Sequence, residues 1–428
     1  MAEFLALAEV WLWGEYVGAV AELDDGSVTF EYTDGFRRGG IEISPLLLPT
    51  SRRIFTFPEL SRKAAFHGLP GVLADALPDA FGTSVIRSWF TARGETRKAL
   101  SPVQHLLYVG ARAIGALEFR PAAELQARPR MEEALEVATL VADARSIIEG
   151  KADIAIPEIY RIGGSAGGLR PKAVVLYNPI ASEVRSGFAE PRAGDIPAIL
   201  KFDGVGDADQ GRRIGRPEPY NRVEAAYARM ARDAGVDGVD VTMLESTEGH
   251  AHLVIPRFDV TPEGPLHQHT LGGLLHVDYN DVGASSYEEY LRVIQGLGMA
   301  TASVSEGFRR MVFNVFGVNQ DDHVKNLSFH MDRKGTWSLT PAYDLTFAQG
   351  GRWTAAHQMR VAGKREGITR RDLLDLAKRF ALKSPGEILD RVEGVVARWK
   401  DYAEETEVPK EDAGRIDAAL VERRKSLS

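Results

Sequence analysis

The most informative stretch of the sequence is Asn319-Gln320-Asp321-Asp322-His323-Val324-Lys325-Asn326, which follows the apolar run Met311–Phe316. Its aspartates and asparagines would make a poor helix or strand, because their side chains compete with the backbone for hydrogen bonds. An Asx-rich turn is the plain interpretation. Asp321 and Asn326, however, have the D-x-x-x-x-N spacing of the protein kinase catalytic loop, in which the aspartate accepts the substrate hydroxyl proton and the asparagine holds Mg²⁺.

A further aspartate follows this loop after a predicted hairpin. The hairpin strands are expected at Leu327–His330 and Trp337–Leu339. Asp344 then lies eighteen positions after Asn326, where a kinase places its second metal-binding aspartate, although the sequence reads Tyr343-Asp344-Leu345 and not Asp-Phe-Gly. Mg²⁺ prefers one or two protein oxygens together with phosphate oxygens and water. Asn326 and Asp344 are therefore the predicted metal ligands.

Two charged residues upstream extend the pattern. Lys201 interrupts an apolar strand predicted at Ala198–Phe202, and a lysine there is costly unless it is paired or functional. It is predicted to hold ATP phosphates, as the strand lysine of kinases does; an edge-strand lysine facing water is the alternative. Glu224 lies on the helix predicted at Val223–Ala234. It is either the ion-pair partner of Lys201 or a carboxylate that favours the helix dipole.

A glycine-rich run precedes these residues. Gly163-Gly164-Ser165-Ala166-Gly167-Gly168 ends in Leu169-Arg170-Pro171-Lys172. Glycines let backbone N–H groups approach phosphate oxygens, and Lys172 would add a positive charge. The run is neither a Walker A motif nor a correct G-x-G-x-x-G, and a plain flexible turn explains it equally well in isolation. The joint order of the five features is that of protein kinases. It predicts an ATP- and Mg²⁺-dependent phosphotransferase with Asp321, Lys201 and Glu224 as catalytic residues.

Composition narrows the class of protein. The 428 residues are 44% hydrophobic and 26% charged, which is typical of a soluble globular protein. A formal net charge of −8 argues against broad electrostatic binding of nucleic acid. The absence of cysteine excludes disulfides, thiolate nucleophiles and Cys-based zinc sites. No apolar stretch is long enough to span a bilayer and the N-terminus lacks a signal-peptide pattern, so a cytoplasmic protein without membrane contact is expected.

One basic cluster stands out near the end of the chain. We interpret it as a solvated helix face, with a local nucleic-acid patch as the alternative. It consists of Lys364, Arg365, Arg370, Arg371, Lys378 and Arg379.

The hydrophobic pattern predicts an α+β fold. We expect a bilobal, protein kinase-like domain, with a small β-rich lobe and a larger helical lobe, preceded by an N-terminal α/β module with a small antiparallel sheet or barrel. Hairpin turns are expected at Asp24–Gly26 and Asp34-Gly35, and loops at 179–196 and Gly204–Pro219. Strands are predicted at Ala173–Tyr177 and His252–Phe258, and helices at 130–150, 287–296, 303–316, 370–380, 385–402 and 410–425. The expected boundaries are 1–125 for the β-rich, then helical N-terminal module, 126–155 for a helical connector, 156–262 for the small lobe and 263–428 for the helical lobe.

With these motifs in place, the chain resembles the HipA family of type II toxin–antitoxin serine/threonine-protein kinases. Ser165–Lys172 resembles the family's phosphate loop, Asn319–Asn326 its catalytic loop and Pro341–Asp344 its metal-binding segment. The segment Phe66–Asp79 resembles part of its N-terminal domain. The chain departs from the family at Pro171, where a well-known member has an acidic residue, and this change removes no catalytic residue.

The resemblance implies roles for individual residues. Asp321 would be the catalytic base, Asn326 and Asp344 would hold Mg²⁺, and Ser165 would be an autophosphorylated serine. Phosphate on Ser165 would oppose the ATP phosphates and eject the loop. The implied ATP contacts are Ser165, Ala166, Gly167, Gly168, Leu169, Arg170, Lys172, Lys201, the adenine hinge at Pro256, Arg257 and Phe258, and then His323, Lys325, Asn326, Tyr343 and Asp344. His323 is expected to orient the catalytic loop by hydrogen bonding.

The resemblance also implies partners. These are a small DNA-binding, HipB-like antitoxin, through which alone DNA would be contacted, and a protein substrate, which in some members is an aminoacyl-tRNA synthetase. Two other classes stay open: a small-molecule phosphotransferase with the same catalytic set, and a catalytically silent corepressor bound to an antitoxin.

Overall fold

The computed structural model describes residues 4–78, 81–86, 100–121, 137–148, 171–205, 217–246 and 249–427. Strands and helices alternate through the first two thirds of the chain, and helices dominate the last third, so the fold is α+β as predicted. The strands are β1 Phe4–Leu12, β2 Glu15–Leu23, β3 Val28–Tyr32, β4 Phe55–Thr56, β5 Leu117–Arg120, β6 Lys172–Asn178, β7 Glu183–Ser186, β8 Ile196–Lys201, β9 Thr242–Glu245, β10 Ala251–Pro256, β11 Val260–Thr261, β12 Gly264–Pro265, β13 His267–Thr270, β14 Ser328–Met331 and β15 Trp337–Leu339.

The helices lie between these strands along the chain and after the last of them. They are α1 Asp34–Arg38, α2 Gly71–Ala74, α3 Pro102–Val109, α4 Val137–Ile148, α5 Tyr220–Asp233, α6 Leu271–Leu275, α7 Tyr287–Gly296, α8 Thr301–Phe316, α9 Arg370–Arg379, α10 Pro385–Val396, α11 Trp399–Glu405 and α12 Lys410–Leu427. Short 3₁₀ turns occur at Pro58–Arg62, Val324–Asn326 and Arg352–Thr354. Within the described residues, no helix combines the length and the apolar character that crossing a membrane requires.

The N-terminal module is built on an antiparallel sheet with strand order β4-β3-β2-β1-β5. In β3, Val28, Phe30 and Tyr32 are buried while Glu31 is exposed, the alternation of a strand with one covered face. The hairpin predicted at Asp24–Gly26 is confirmed between β2 and β3. The turn predicted at Asp34-Gly35 is wrong. Those residues begin α1, because the Thr33 hydroxyl accepts the Phe36 N–H and caps a helix there.

A second antiparallel sheet, with order β7-β6-β8-β10-β9, forms the small lobe. The three predicted strands of this region are confirmed as β6, β8 and β10, although β10 ends at Pro256 and not at Phe258. The interpretation of 179–196 as a loop is wrong in part. It contains β7, which pairs with β6 and is fixed by a buried ion pair between Arg185 and Asp195. Strand β7 forms because it pairs with β6 and packs against it, although its local sequence does not predict a strand.

The helical lobe surrounds α8, whose buried residues include Phe308, Phe313 and Phe316. The predicted helices are confirmed at α7, α8, α9 and α12. The run 385–402 is wrong as one helix, because it divides into α10 and α11. The break lets the buried Trp399 pack 5.6 Å from the ring of Tyr227 and donate its indole N–H to the Ala413 carbonyl at 3.0 Å.

The basic cluster at the end of the chain is largely ion-paired. Lys364 contacts Asp372 at 2.7 Å, Arg371 lies 3.6 Å from Asp375 on α9, and Arg379 contacts Glu288 at 2.7 Å. Arg370 pairs with Asp390 and Glu393, and Arg365 donates to the His357 carbonyl. Charges matched in this way favour the interpretation as a solvated helix face.

The N-terminal module packs directly on the helical lobe. The indole N–H of Trp13 donates to the Pro265 carbonyl at 2.7 Å, and a His267 ring nitrogen lies 2.8 Å from the Ile43 carbonyl oxygen. Met331, at the end of β14, is buried among the apolar side chains of the N-terminal sheet. Burial of apolar surface across this boundary stabilises the docked arrangement.

Candidate active site

Lys201 is the centre of the candidate site. Its ammonium group contacts Glu224 Oε1 at 2.6 Å and Asp344 Oδ1 at 2.5 Å. Only 7% of the Lys201 side chain and 6% of the Glu224 side chain are exposed, whereas 30% of Asp344 is exposed. The small-lobe sheet, helix α5 and the segment after β15 therefore meet at one buried cation. In protein kinases the strand lysine pairs with a helix glutamate, and a metal-binding aspartate must also be in place.

A second lysine lies beside the first. Lys172 on β6 is directly opposite Lys201 on β8, and both side chains are buried. Opposite residues of an antiparallel pair project from the same face of the sheet, and like charges there repel each other. Lys172 therefore lies on the same sheet face as the lysine that contacts Glu224 and Asp344.

A strained residue immediately precedes the predicted catalytic loop, Asn319–Asn326. Val318 is buried with a φ of 51°, a left-handed conformation that a β-branched residue rarely adopts. The loop is held there by Asn319, whose backbone N–H donates to the Asn314 carbonyl at 3.0 Å and whose amide donates to Asn314 Oδ1 at 3.0 Å. Such strain persists only where surrounding contacts enforce it.

Asp322 anchors the middle of the loop. It is buried, and it accepts hydrogen bonds from the Tyr287 hydroxyl at 2.9 Å, from His357 Nδ1 at 2.9 Å and from the Gln358 backbone N–H at 2.7 Å. A carboxylate with three donors is fixed in position and has little capacity left for a substrate. Asp322 is therefore a structural carboxylate.

Asp321, the adjacent residue, faces the site. Among the residues that the structure describes, its Oδ1 accepts one side-chain hydrogen bond, from Gln358 Nε2 at 3.2 Å. Burial raises the pKa of Asp321, and the negative charges of Asp344 and Asp322 raise it further, against the opposing effects of the His323 charge and the Gln358 hydrogen bond. The charge of Asp344 thus acts on the Asp321 carboxyl group. A raised pKa suits a group that must take up a proton.

The predicted metal ligands, Asn326 and Asp344, each have a defined local conformation. The amide nitrogen of Asn326 donates to the Asp321 carbonyl at 3.0 Å, which turns its oxygen away from that contact. Asp344 has a φ of 53°, so its backbone is held in the left-handed region. The mutual repulsion of Asp321 and Asp344 is the electrostatic condition that a divalent cation relieves. Asn326 and Asp344 thus fit Mg²⁺, which would supply charge neutralisation at the phosphates.

The predicted hinge lies where the small lobe ends. Pro256 is the last residue of β10, and Arg257 pairs with Asp259 at 2.5 Å. The Phe258 ring is 5.5 Å from the ring of Tyr343, whose hydroxyl donates to the Lys325 carbonyl at 2.8 Å. These contacts bring the end of β10, the catalytic loop and the Asp344 segment into one cluster.

Two residues of the catalytic loop point toward other groups. The Lys325 ammonium lies 5.5 Å from the ring centroid of Tyr279. The His323 ring packs 5.4 Å from the same tyrosine, and its buried Nδ1 has no hydrogen-bond partner among the described residues. The expectation that His323 orients the loop through a hydrogen bond therefore gains no support at Nδ1.

The remaining predicted phosphate-loop residues lie outside the described part of the chain. They are Ser165, Ala166, Gly167, Gly168, Leu169 and Arg170.

Sequence reasoning missed His357 and Gln358. They lie 35 and 36 positions after Asp322 and hold both aspartates of the loop. Their local sequence, Ala355-Ala356-His357-Gln358, has no motif that marks a site. The sequence offered one signal for their roles, the adjacent pair Asp321-Asp322, which suggests that one carboxylate anchors the loop while the other faces the site.

Comparison with known proteins adds a family to this geometry. The family model of the HipA-like C-terminal domain matches residues 164–399, more than half of the chain, and that of the HipA N-terminal domain matches residues 8–120. The chain belongs to the HipA family. Its predicted phosphate loop, catalytic loop and metal-binding segment all begin within the C-terminal match.

The curated relatives share only part of their sequence with this chain. The chain is 30% identical over 192 residues to "Putative kinase Y4dM" of Sinorhizobium fredii, covering 41% of this chain and 46% of that protein. It is 29% identical over 178 residues to a Haemophilus influenzae protein of the same general name, covering 37% and 51%. The chain thus spans about half the length of these curated relatives.

One solved structure shares the fold over nearly the whole chain. It comes from the Shewanella oneidensis MR-1 toxin–antitoxin system, in which HipA was solved with HipB and operator DNA. The TM-score is 0.65 at 17% identity, with 98% of this chain and 96% of that chain covered. The bilobal arrangement with an N-terminal module is therefore the HipA fold.

Proposed function

We propose that the chain is an ATP- and Mg²⁺-dependent serine/threonine-protein kinase that acts as the toxin of a type II toxin–antitoxin system. The observation that carries the proposal is the contact of one buried lysine, Lys201, with both Glu224 and Asp344. The charge of Asp344 also helps to raise the pKa of Asp321. Kinase activity requires these groups to be in place together. The kinase names of two partial relatives support the same reaction class.

The proposed reaction uses each group once. Asp321 accepts the proton of a serine or threonine hydroxyl as that oxygen forms a bond to the γ-phosphorus of ATP. The bond from the γ-phosphorus to the bridging oxygen breaks, and ADP leaves with the electron pair. Lys201 and Lys172 would offset the phosphate charge, and Asn326 and Asp344 would hold Mg²⁺, which would supply further charge neutralisation. The Gln358 amide fixes one oxygen of Asp321 and leaves the other to the substrate.

We also propose an antitoxin partner and a protein substrate. A HipB-like, DNA-binding antitoxin fits a chain whose fold matches a HipA solved with HipB and operator DNA. DNA contact would then be indirect, which suits a net charge of −8. The proposed substrate is a cytoplasmic protein such as an aminoacyl-tRNA synthetase, and Ser165 is the proposed autophosphorylation site.

A labelling experiment tests the proposal. The purified protein is incubated with γ-labelled ATP, Mg²⁺ and a cell extract, and labelled bands are identified by mass spectrometry. Wild-type protein should label a protein band on serine or threonine, and Asp321→Asn should abolish the label while retaining antitoxin binding. Label on a small molecule alone, or no label from folded wild-type protein, would refute the kinase assignment.

A further inference from the structure

The segment Phe66–Asp79 has no part in the proposed chemistry, although it marks the N-terminal module in the sequence. In the structure it carries α2, which packs against α6 of the helical lobe. Helix α6 also packs against the Val324–Asn326 turn of the catalytic loop. One short helix therefore lies between the N-terminal module and the loop that bears Asp321 and Asn326.

Asp75, at the end of α2, binds the start of α6. Its Oδ2 contacts His269 Nδ1 at 2.6 Å and accepts the Thr270 backbone N–H at 2.8 Å, and its Oδ1 accepts the Thr270 hydroxyl at 2.8 Å. Thr270 is the N-cap of α6, and its hydroxyl oxygen accepts the Gly273 N–H at 2.9 Å. Asp75 thus extends the cap of a helix in another domain, which fixes where that helix begins.

The two domains approach closely at this point. A Cβ on Gly71 would lie 2.0 Å from the Gly273 carbonyl oxygen, so only glycine permits this contact of backbones. The Gly71 N–H donates to His276 Nε2 at 3.0 Å, just after α6. Lys63 donates to the His276 carbonyl at 2.6 Å. The N-terminal module therefore holds both ends of α6.

Helix α6 in turn holds the catalytic loop. A Cβ on Gly272 would lie 2.9 Å from Val324 Cγ2, which shows how closely the loop packs on the helix. The Leu271 N–H donates to the Leu327 carbonyl at 2.7 Å, on the far side of the Val324–Asn326 turn. A one-residue shift of α6 would displace Val324 and, with it, the carbonyl and amide contact between Asp321 and Asn326.

Asp75 of the N-terminal module also interacts electrostatically with Lys325 of the predicted catalytic loop. Lys325 and Asp75 line a single small cavity between the domains. Burial raises the pKa of Asp75, but the hydrogen bonds and charge of His269, the Thr270 N–H and the charge of Lys325 together keep it below its ordinary value. Asp75 is therefore ionised near neutral pH, and its charge is matched from the loop as well as from α6.

We infer that Asp75 is a positioning residue of the kinase, through which the N-terminal module sets the orientation of the catalytic loop by way of α6. The inference rests on the proposed function for its kinetic consequence, but its structural content is independent of any activity. The alternative is a purely structural role, in which Asp75 stabilises the packing of the N-terminal module on the helical lobe and does not affect the catalytic loop.

The test compares four full-length variants. Asp75→Asn removes the negative charge and one acceptor oxygen. Thr270→Val removes the hydroxyl that donates a hydrogen bond to Asp75. Thr270→Ser keeps that hydroxyl and serves as the conservative partner. Glu59→Gln makes the same charge change on an exposed residue of the N-terminal module. The measurements are kcat and KM for ATP, binding of a fluorescent ATP analogue, and hydrogen–deuterium exchange of peptides covering 318–327.

The expected result is selective. Asp75→Asn and Thr270→Val should lower kcat at least tenfold and speed amide exchange at 319–326 at least tenfold, with KM and nucleotide affinity within twofold of wild type. Thr270→Ser and Glu59→Gln should stay within twofold in every readout. Exchange at 319–326 unchanged in Asp75→Asn would overturn the inference, as would faster exchange spread evenly over the helical lobe with lost nucleotide binding. Wild-type protein without ATP turnover would refute the proposed function alone, because the exchange comparison still decides the role of Asp75.

Discussion

At the scale of single residues, Asp321 and Asp322 show how two adjacent carboxylates acquire different properties. Asp322 is surrounded by three donors and is buried. Asp321 has one side-chain donor and faces the charge of Asp344, which raises its pKa. Hydrogen bonds to a carboxylate favour its ionised form, whereas burial and like charge oppose it. The difference arises from tertiary neighbours, since the two residues share their local sequence.

This contrast predicts opposite effects on stability. Because the ionised form of Asp321 is disfavoured in the folded state, Asp321→Asn should raise the melting temperature at neutral pH without Mg²⁺ or nucleotide. Asp322→Asn should lower the free energy of unfolding by about 1–3 kcal/mol, since it leaves buried donors unmatched. Thermal melts of both variants check this. A lower melting temperature for Asp321→Asn would contradict the assignment.

The same argument gives a pH dependence. An acid whose pKa is raised on folding destabilises the protein above that folded pKa, and the cost disappears below the unfolded value, about 3.9 for aspartate. The advantage of Asp321→Asn over wild type should therefore be full at neutral pH and vanish as the pH falls below about 4. Melting temperatures across this range decide the point, and a constant difference would count against it.

Lys201 gives a second prediction for a single residue. Lys201→Met should leave Glu224 buried without its 2.6 Å partner. Breaking a buried ion pair costs about 3–5 kcal/mol. Phosphoryl transfer should fall by roughly 10²-fold or more, because one charge-stabilising group is lost. Lys334→Met, on an exposed turn, is the matched control. Denaturant melts and ATP turnover measure both effects, and a Lys201→Met enzyme as active as this control would exclude Lys201 from the site.

At the scale of elements, helix α5 ties the small lobe to the catalytic loop. It carries Glu224 near its start, and one turn later the Tyr227 hydroxyl donates to the Gly317 carbonyl at 2.6 Å. Gly317 immediately precedes the strained Val318. Helix α5 therefore connects the ion pair of Lys201 with the residues that lead into the predicted catalytic loop.

Removal of that hydroxyl should be measurable. Tyr227→Phe should lower the free energy of unfolding by about 1 kcal/mol, the usual contribution of a buried hydrogen bond. Tyr16→Phe, at a residue with 38% exposure, should change it by less than about 0.5 kcal/mol. Urea denaturation of the two variants provides the comparison. Equal effects would show that the Tyr227–Gly317 bond contributes nothing specific.

At the scale of the whole molecule, the site joins the two lobes, because Lys201 belongs to the small-lobe sheet and Asp344 to the segment after β15. A ligand that binds only the folded state stabilises it by an amount that grows with the logarithm of its concentration relative to Kd. ATP with Mg²⁺ at 100 times its Kd should add about 2.7 kcal/mol. Asp344→Ala should remove the Mg²⁺-dependent part of the resulting rise in melting temperature. If ATP alone gives the full rise in wild-type protein, Asp344 is not a metal ligand.

Much of the fold could be predicted because many of its strands and helices follow the hydrophobic periodicity of the sequence. The alternation in β3 and the apolar face of α8 follow directly from the chain, and their elements are confirmed. The errors fall where packing overrides local pattern. Strand β7 depends on pairing and on the buried Arg185, and the break before Trp399 depends on the space beside Tyr227. The Asp34-Gly35 error came from overlooking Thr33 as a helix cap.

The sequence by itself determined the order of the chemical groups, from Lys172 through Lys201 and Glu224 to the Asp321–Asn326 loop and Asp344. Spacing and residue type suffice for that, because a short loop carries its own chemistry. Only the tertiary structure decided which carboxylate is anchored, what holds it and how Asp75 reaches α6. Those contacts join residues from 35 to nearly 200 positions apart, and no local pattern records which distant side chains will meet.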